Sequence, residues 1–511
     1  MSVENVIDLI KRMRRSSKYA FLSAALTGFM AHGYVFANKL PNSDDIINIR
    51  AYGAGVPHGC WLKEILGPII GKFAGNYSTP WMIGTVSILL LAMSAVVIVE
   101  TLGVESLAGG IVLGGVITSF PSVTGNFLFM YVAVYFSLSI LLASVAVYLI
   151  IQKKNTIWAV VGIALTACSM GLYQAYYPYI AGLLMCDLIL RCFFGQDGIK
   201  EIWKVAIKYL VCLVAGMALY FAIEYLCLWI FHMSLSTHKG IDKMGHIDFL
   251  MIPGLIVEMY RNMASMLHSD YMGISSDLMM RILIGISYLT IIGITIISVI
   301  RLIRVKEYLK AGSGILFIII FPVAINLIDI MCANSGKELI YVIMEYALSL
   351  IFILPIILLD SVKKTVAEWG VLLCGTGIIY CYANLANEAY LYVDLAQRSV
   401  ESYYTVMLAE IRGAEGYRSD LDIVFVGNVK DATVYPLRQE FPNLGISSME
   451  DVTDRVNWYR ENFLKYYCGF TAKYAEAYDE RYETVVTEMP CYPDYGSIRV
   501  LGDQVIVKLS N

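Results

Sequence analysis

The sequence predicts an α-helical polytopic membrane protein of about eleven spans, with a small extracytoplasmic α/β domain at its C-terminal end. Three observations point there. Apolar side chains make up 58% of the 511 residues and charged ones only 16%, well below the roughly 25% charged residues of soluble domains. Apolar runs recur that are long enough to cross a hydrocarbon core about 30 Å thick as helices. The composition then changes abruptly near Asn387, beyond which the chain is charged and tyrosine-rich. A formal net charge of −4 argues against nucleic acid as a partner, and the basic residues gather in short connections instead.

Apolar length places the spans, and the Lys/Arg bias of short loops orients them. Lys11, Arg12, Arg14, Arg15 and Lys18 precede a first span at about 19–37, which is too long for a signal-peptide core and reads as uncleaved. Residues 38–80 form a first outer loop, within which Trp61 to Phe73 has the spacing of a surface helix. Further spans fall at about 81–102, 105–120, 127–151, 156–173, 177–195 and 207–231. The turn Pro121–Asn126 is expected to join spans 3 and 4 on the outside. A second long outer loop covers 232–280, and the last four spans lie at about 282–300, 313–331, 340–359 and 369–386. This pattern puts the N-terminus in the cytoplasm and the C-terminal domain outside, as in a multi-pass membrane protein.

The chain thus divides into a membrane domain, 1–387, and a C-terminal domain, 388–511. Glu388 to Ile411 has helical periodicity, so a helix is expected to continue from the last span. Asp422-Ile423-Val424-Phe425-Val426 reads as a buried strand, and Arg499–Leu501 with Val505–Val507 reads as a hairpin around Gly502-Asp503. Cys468 and Cys491 share this domain and would be available for a disulfide outside the cell.

The chemistry-bearing stretch is Asn38-Lys39-Leu40-Pro41-Asn42-Ser43-Asp44-Asp45, just past the first span. The adjacent carboxylates of Asp44 and Asp45 could take a proton from a hydroxyl at the membrane surface; the same pattern also fits a solvated turn that caps the next helix. A phosphate leaving group needs cations. The outer loops offer Arg50, His58, Lys63, Lys239, Lys243, His246, Arg261 and His268. Pro253 to Leu267 is amphipathic and carries Arg261, as either a lid or a plain interfacial anchor. Gln174, Tyr176 and Tyr177, between spans 5 and 6, suit sugar binding as well as an interfacial aromatic belt. Among ionisable groups within spans, Asp329 shares a helix face with Asn326, Glu224 and Glu345 are similar cases, and Asp187 is placed to pair with Arg191.

The stretch from Phe21 to Val97 resembles the start of the type II glucosyltransferase family of bacterial envelope proteins, including O-antigen glucosyltransferases. The likeness rests on His32, Asn38, Asn42-Ser43-Asp44-Asp45-Ile46, Gly59-Cys60-Trp61-Leu62 and the run from Pro80 to Ala95. Gly171-Leu172-Tyr173-Gln174-Ala175-Tyr176 and Asn387-Glu388-Ala389-Tyr390 extend it. The resemblance implies a GT-C-type membrane enzyme. It would move a sugar, glucose above all, from a polyprenyl-phosphate donor such as undecaprenyl phosphate glucose to an envelope glycan, with inversion and with Asp44 or Asp45 as base. It implies no cofactor; a divalent metal is possible but not required. An arginine commonly precedes the tryptophan of the surface helix in that family. This chain has Cys60 there, leaving His58 or Lys63 as the nearest cation. A flippase for lipid-linked sugars, or an envelope polysaccharide polymerase, remains the alternative.

Overall fold

A computed structural model of the chain describes residues 8, 11–40, 42–53, 55–75, 77–153, 155–243, 248–334, 340–362, 365–429 and 456–511. Pro41 and His246 lie outside the described residues, as does the side chain of Lys239. The chain forms two compact units, one holding most residues up to Asn387 and the other holding Asn38–Ala51 with the described residues from Glu388 onward. The first outer loop is therefore split, its acidic stretch packing within the unit built mainly from the C-terminal part.

In chain order the helices begin with α1 (Arg15–Ala37), α2 (Ser43–Ile47), α3 (Trp61–Ala74), α4 (Pro80–Leu102), α5 (Leu107–Ser119) and α6 (Pro121–Leu128). Next come α7 (Ala133–Gln152), α8 (Thr156–Leu172), α9 (Tyr177–Phe193), α10 (Ile199–Phe231), α11 (Ile252–Ser265) and α12 (Leu278–Arg304). The remainder are α13 (Tyr308–Ile325), α14 (Leu327–Met331), α15 (Leu350–Val362), α16 (Thr365–Gly413), α17 (Val456–Tyr466) and α18 (Glu483–Glu488). Among the described residues nine helices are long and apolar enough to cross a membrane, and two shorter apolar helices, Thr156–Leu172 and Tyr346–Val362, accompany them. The protein is a polytopic helical membrane protein.

Small residues let these helices approach closely. A Cβ on Gly110 would meet the Ser16 carbonyl oxygen at 2.4 Å, and one on Gly114 would meet that of Ala20 at 2.2 Å. This small-xxx-small stripe seats α5 against α1, whose own Ala20, Ala24 and Ala31 are fully buried. Serines on α1 add hydrogen bonds at 2.7 Å: Ser23 Oγ donates to Ile111 O of α5, and Ser16 Oγ to Val104 O in the connection that precedes α5. His32 is a satisfied core residue, its Nε2 2.8 Å from Thr118 O and its ring 4.8 Å from that of Phe127.

One expected connection is corrected. Pro121–Asn126 is not an outer turn but part of α6, every residue of which is buried. Pro121 stands at a first-turn position, where its fixed φ suits a helix start and its missing N–H breaks no bond. The polar side chains find partners inside: Ser122 Oγ donates to Val342 O at 2.5 Å and Asn126 Nδ2 to Tyr176 Oη at 2.9 Å. The Asp187–Arg191 pair forms as expected at 2.6 Å, with Asp197 joining it through Arg191 Nη1 at 2.7 Å.

The second unit contains a four-stranded sheet, β1 (Asp422–Val426), β2 (Lys473–Tyr474), β3 (Ile498–Leu501) and β4 (Gln504–Lys508), in the order β2-β1-β4-β3. β1 runs parallel to β2 and β4, and β3–β4 is the antiparallel hairpin expected around Gly502, which takes φ 63°. Side chains alternate by face. Ile423, Phe425, Val505 and Val507 meet Val400, Tyr404, Met407 and Ile411 of α16 and Phe463 of α17. Val424 and Ile506 point to the other face, against Val486 and Met489. Cys468 and Cys491 are free thiols, so the disulfide is absent.

The Gly114 contact yields a test. Gly114→Ala forces a methyl onto a backbone oxygen and should destabilise the helical unit by about 1–3 kcal/mol. Thermal unfolding of the detergent-solubilised chain checks this, and an unchanged midpoint would refute the close packing of α1 on α5.

Candidate functional site

The acidic stretch is held by its own local chemistry. Asn42 caps α2: its Oδ1 accepts from the Asp45 N–H at 3.1 Å, leaving both carboxylates in the first turn of the helix. Such a cap stabilises by about 1 kcal/mol. Ile46, 4% exposed, packs into the core of the second unit with Tyr404, Met407 and Phe463, fixing the turn's direction. Both readings of the sequence therefore meet here, because the capping turn and the acidic pair are one structure.

The two carboxylates differ in setting. Asp44 is half-buried and accepts from Tyr459 Oη at 3.2 Å. Asp45 is buried, 6% exposed. The Lys39 amine lies 5.1 Å from the centre of the Tyr467 ring. Desolvation lowers the pKa of Lys39, and the Asp45 charge opposes that fall. Burial raises the Tyr467 phenol, with the charges of Asp45 and Glu401 adding to it. Arg50 is exposed, three residues past α2 and within the same unit. Lys39, Tyr459 and Tyr467 were not singled out from sequence; only Lys39, by adjacency, carried any signal there.

The remaining expected residues lie in the other unit. His58 ends a short 3-10 turn, Val56–His58, that leads through Gly59 and Cys60 into α3. Gln174 bridges this turn to α10. Its Nε2 donates to His58 O at 2.8 Å and to Tyr220 Oη at 3.0 Å, while Tyr220 Oη donates to Gly59 O at 2.9 Å. Lys63 is not a solvated loop cation but is 8% exposed. Burial pushes the Cys60 thiol up; the Lys63 charge opposes this and the Glu224 charge adds to it. Tyr220 escaped the sequence reading, although it stands one helical turn before Glu224.

Tyr176 and Tyr177 are buried and form no exposed aromatic belt. Tyr176 is fully buried, receives Asn126 Nδ2, and packs edge-on against Tyr173 and Tyr346 at 5.2 and 5.6 Å between centroids. Tyr177, 6% exposed, packs with Trp61 and Tyr220. Rings this large are most stabilising where both faces leave water. Arg261, on α11, and His268 are exposed.

Asp329 is 9% exposed in α14, just past the break at Asn326. It shares its surroundings with the fully buried Glu345, whose Oε1 accepts from Tyr271 Oη at 3.4 Å. Burial raises the Tyr271 phenol, and the charges of Glu345 and Asp329 raise it further. Among the described residues no three His, Cys, Asp or Glu side chains converge as a metal would require.

A polytopic helical membrane protein with buried polar centres and a capped acidic turn defines the class. A family model described as "Glucosyl transferase GtrII" matches residues 33–356, more than half of the chain, and the protein belongs to that family. No curated protein and no solved structure matches it.

Two tests follow from this geometry. Gly59 has φ 71°, and a Cβ there would sit 2.0 Å from Gln174 Nε2. Gly59→Ala should break the Gln174–Tyr220 link and cost about 1–3 kcal/mol. A melting midpoint equal to wild type would contradict the arrangement. Asp45→Asn removes the charge that holds Lys39 protonated, so Lys39 should react faster with an amine-acylating reagent at a fixed mildly alkaline pH. Peptide mass spectrometry reads this, and equal or slower labelling would show that Asp45 does not act on Lys39.

Proposed function

We propose that the protein transfers glucose from a polyprenyl-phosphate donor to a hydroxyl of an envelope glycan on the outer face of a bacterial inner membrane. The N-terminus is then cytoplasmic and residues 388–511 extracytoplasmic. Membership of a glucosyltransferase family supports glycosyl transfer as the activity, and the helices long enough to span a bilayer support a lipid-linked donor. The observation that carries the chemistry is the capped acidic turn, where one carboxylate is half-exposed and its neighbour is buried.

In this reading Asp44 is the general base. Its carboxylate takes the proton of the acceptor hydroxyl as that oxygen bonds to the anomeric carbon. The bond from the anomeric carbon to the phosphate oxygen breaks in the same step, its electron pair leaving with polyprenyl phosphate, and the configuration inverts. Asp45 orients the turn and holds Lys39 charged. Arg50, exposed in the same unit, offers a guanidinium suited to the departing phosphate. No step requires a metal or an organic cofactor.

Asp44→Asn keeps the size and the Tyr459 hydrogen bond but removes the base. Transfer from polyprenyl-phosphate glucose by the purified protein should fall by about 10²–10⁴-fold, whereas Tyr459→Phe should cost far less. Transfer by Asp44→Asn within ten-fold of wild type would rule out Asp44 as base. A wild-type protein that moves lipid-linked glucose across vesicles without transferring it would sink the enzyme reading.

A further inference from the structure

The buried face of α10 carries Ile202, Tyr209, Cys212, Gly216, Tyr220, Glu224 and Cys227, a stripe at helical spacing. Glu224 occupies a core position in that stripe. It is 2% exposed, and among the described residues neither carboxylate oxygen has a hydrogen-bond partner. An acid in this position inside an apolar helix is costly unless something satisfies it. Its neighbourhood is the Gln174 bridge: Tyr220 lies one turn before it, and Tyr220 and Cys227, which flank it on α10, pack in one cluster with Trp61. Trp61, 5% exposed, lies flush on Gly171, where a Cβ would meet its indole at 2.4 Å. The indole N–H has no acceptor among the described residues.

The inventory of donors and acceptors points to a ligand class. Both N–H groups of Gln174 and the O–H of Tyr220 are spent on protein oxygens. Gln174 Oε1 has only a thiol contact, from Cys60 Sγ at 3.9 Å. The open capacity at Glu224, Gln174 and Trp61 is two carboxylate oxygens and most of one amide oxygen, against one indole N–H; His58 and the buried Lys63 belong to the same segment and have partners of their own. An ionised phosphate brings acceptors alone and leaves the Glu224 oxygens unmet; a polyol brings several O–H donors and some acceptors.

We propose that the seam between Gly59–Trp61, Gln174 and the Tyr220–Glu224 turn of α10 binds the hydroxyls of a sugar, with Glu224 accepting from them. This rests on the glucosyl-donor reading above and names the groups that select the sugar, not the phosphate. Glu224 is then a binding residue, distinct from the base in the other unit.

The test compares two probes on the purified full chain, a short-chain prenyl-phosphate glucose and the same prenyl phosphate without sugar. Wild type should bind the sugar-bearing probe at least ten-fold more tightly. Glu224→Leu, similar in size and apolar, should bring that ratio to about one while raising the thermal midpoint, because it removes an unsatisfied buried acid. Glu224→Gln, which keeps one acceptor oxygen, should hold an intermediate ratio. A ten-fold ratio that survives Glu224→Leu overturns the proposal and leaves the donor reading intact. Should Glu224→Leu misfold, a wild-type ratio in Glu224→Gln together with one in Trp61→Phe overturns it equally. Wild type that binds both alike overturns this assignment alone, since prenyl phosphate is the leaving group of the same reaction; wild type that binds neither overturns the donor reading and this assignment with it.

Discussion

The placement of Ile46 in a hydrophobic core governs how the acidic stretch can act. A side chain of that size, removed from water, contributes about 1.5–3 kcal/mol. Here it seats residues 42–47 against Tyr404, Met407 and Phe463. The Asn42 cap sets which backbone N–H groups are satisfied, and the buried isoleucine sets which way the turn faces. Together they hold two neighbouring carboxylates in unlike surroundings, one half-exposed beneath a tyrosine hydroxyl and one buried. Such inequality is what lets an acidic pair divide its work, one carboxylate open to an acceptor and the other taken up by its buried surroundings.

The helical unit obeys a different constraint. Apolar side chains alone give one helix in a membrane little reason to choose a particular neighbour. Specific seating comes from close backbone approach, at Gly110 and Gly114, and from polar groups that must be paired: Ser16, Ser23, Asn126 and Gln174. Among the described residues' buried side chains left without a hydrogen-bond partner, Glu224 stands out because both its oxygens are unmet, and the Trp61 indole N–H is another such group. They are unmet polar groups in a region where leaving them unmet is expensive.

The family match and the geometry constrain different things. Membership speaks for transfer of a glucosyl group and covers the region from within α1 to within α15. Most of the second unit's core, with Tyr404, Phe463 and the sheet, lies beyond that region, yet it is what holds Ile46 and the acids next to it. The C-terminal part is therefore more than an appendage to the acidic turn: it supplies Tyr459 and the packing that orients Asp44.

By itself the sequence determined the polytopic helical class, the strand at Asp422–Val426, the hairpin about Gly502 and the Asp187–Arg191 pair. All of these depend on local periodicity, turn residues or one-turn spacing, which a linear reading can see. It also brought the acidic pair forward, by charge and by position after the first span. Tertiary structure decided what no spacing encodes: that Pro121–Asn126 is a buried helix, that Tyr176 and Tyr177 are core residues, and that Lys63 is nearly buried. It also joined Gln174 to Tyr220 across 46 positions and Asp44 to Tyr459 across 415. Those outcomes depend on which distant chain removes a side chain from water or offers it a partner, a property of the packed fold that a local pattern does not carry.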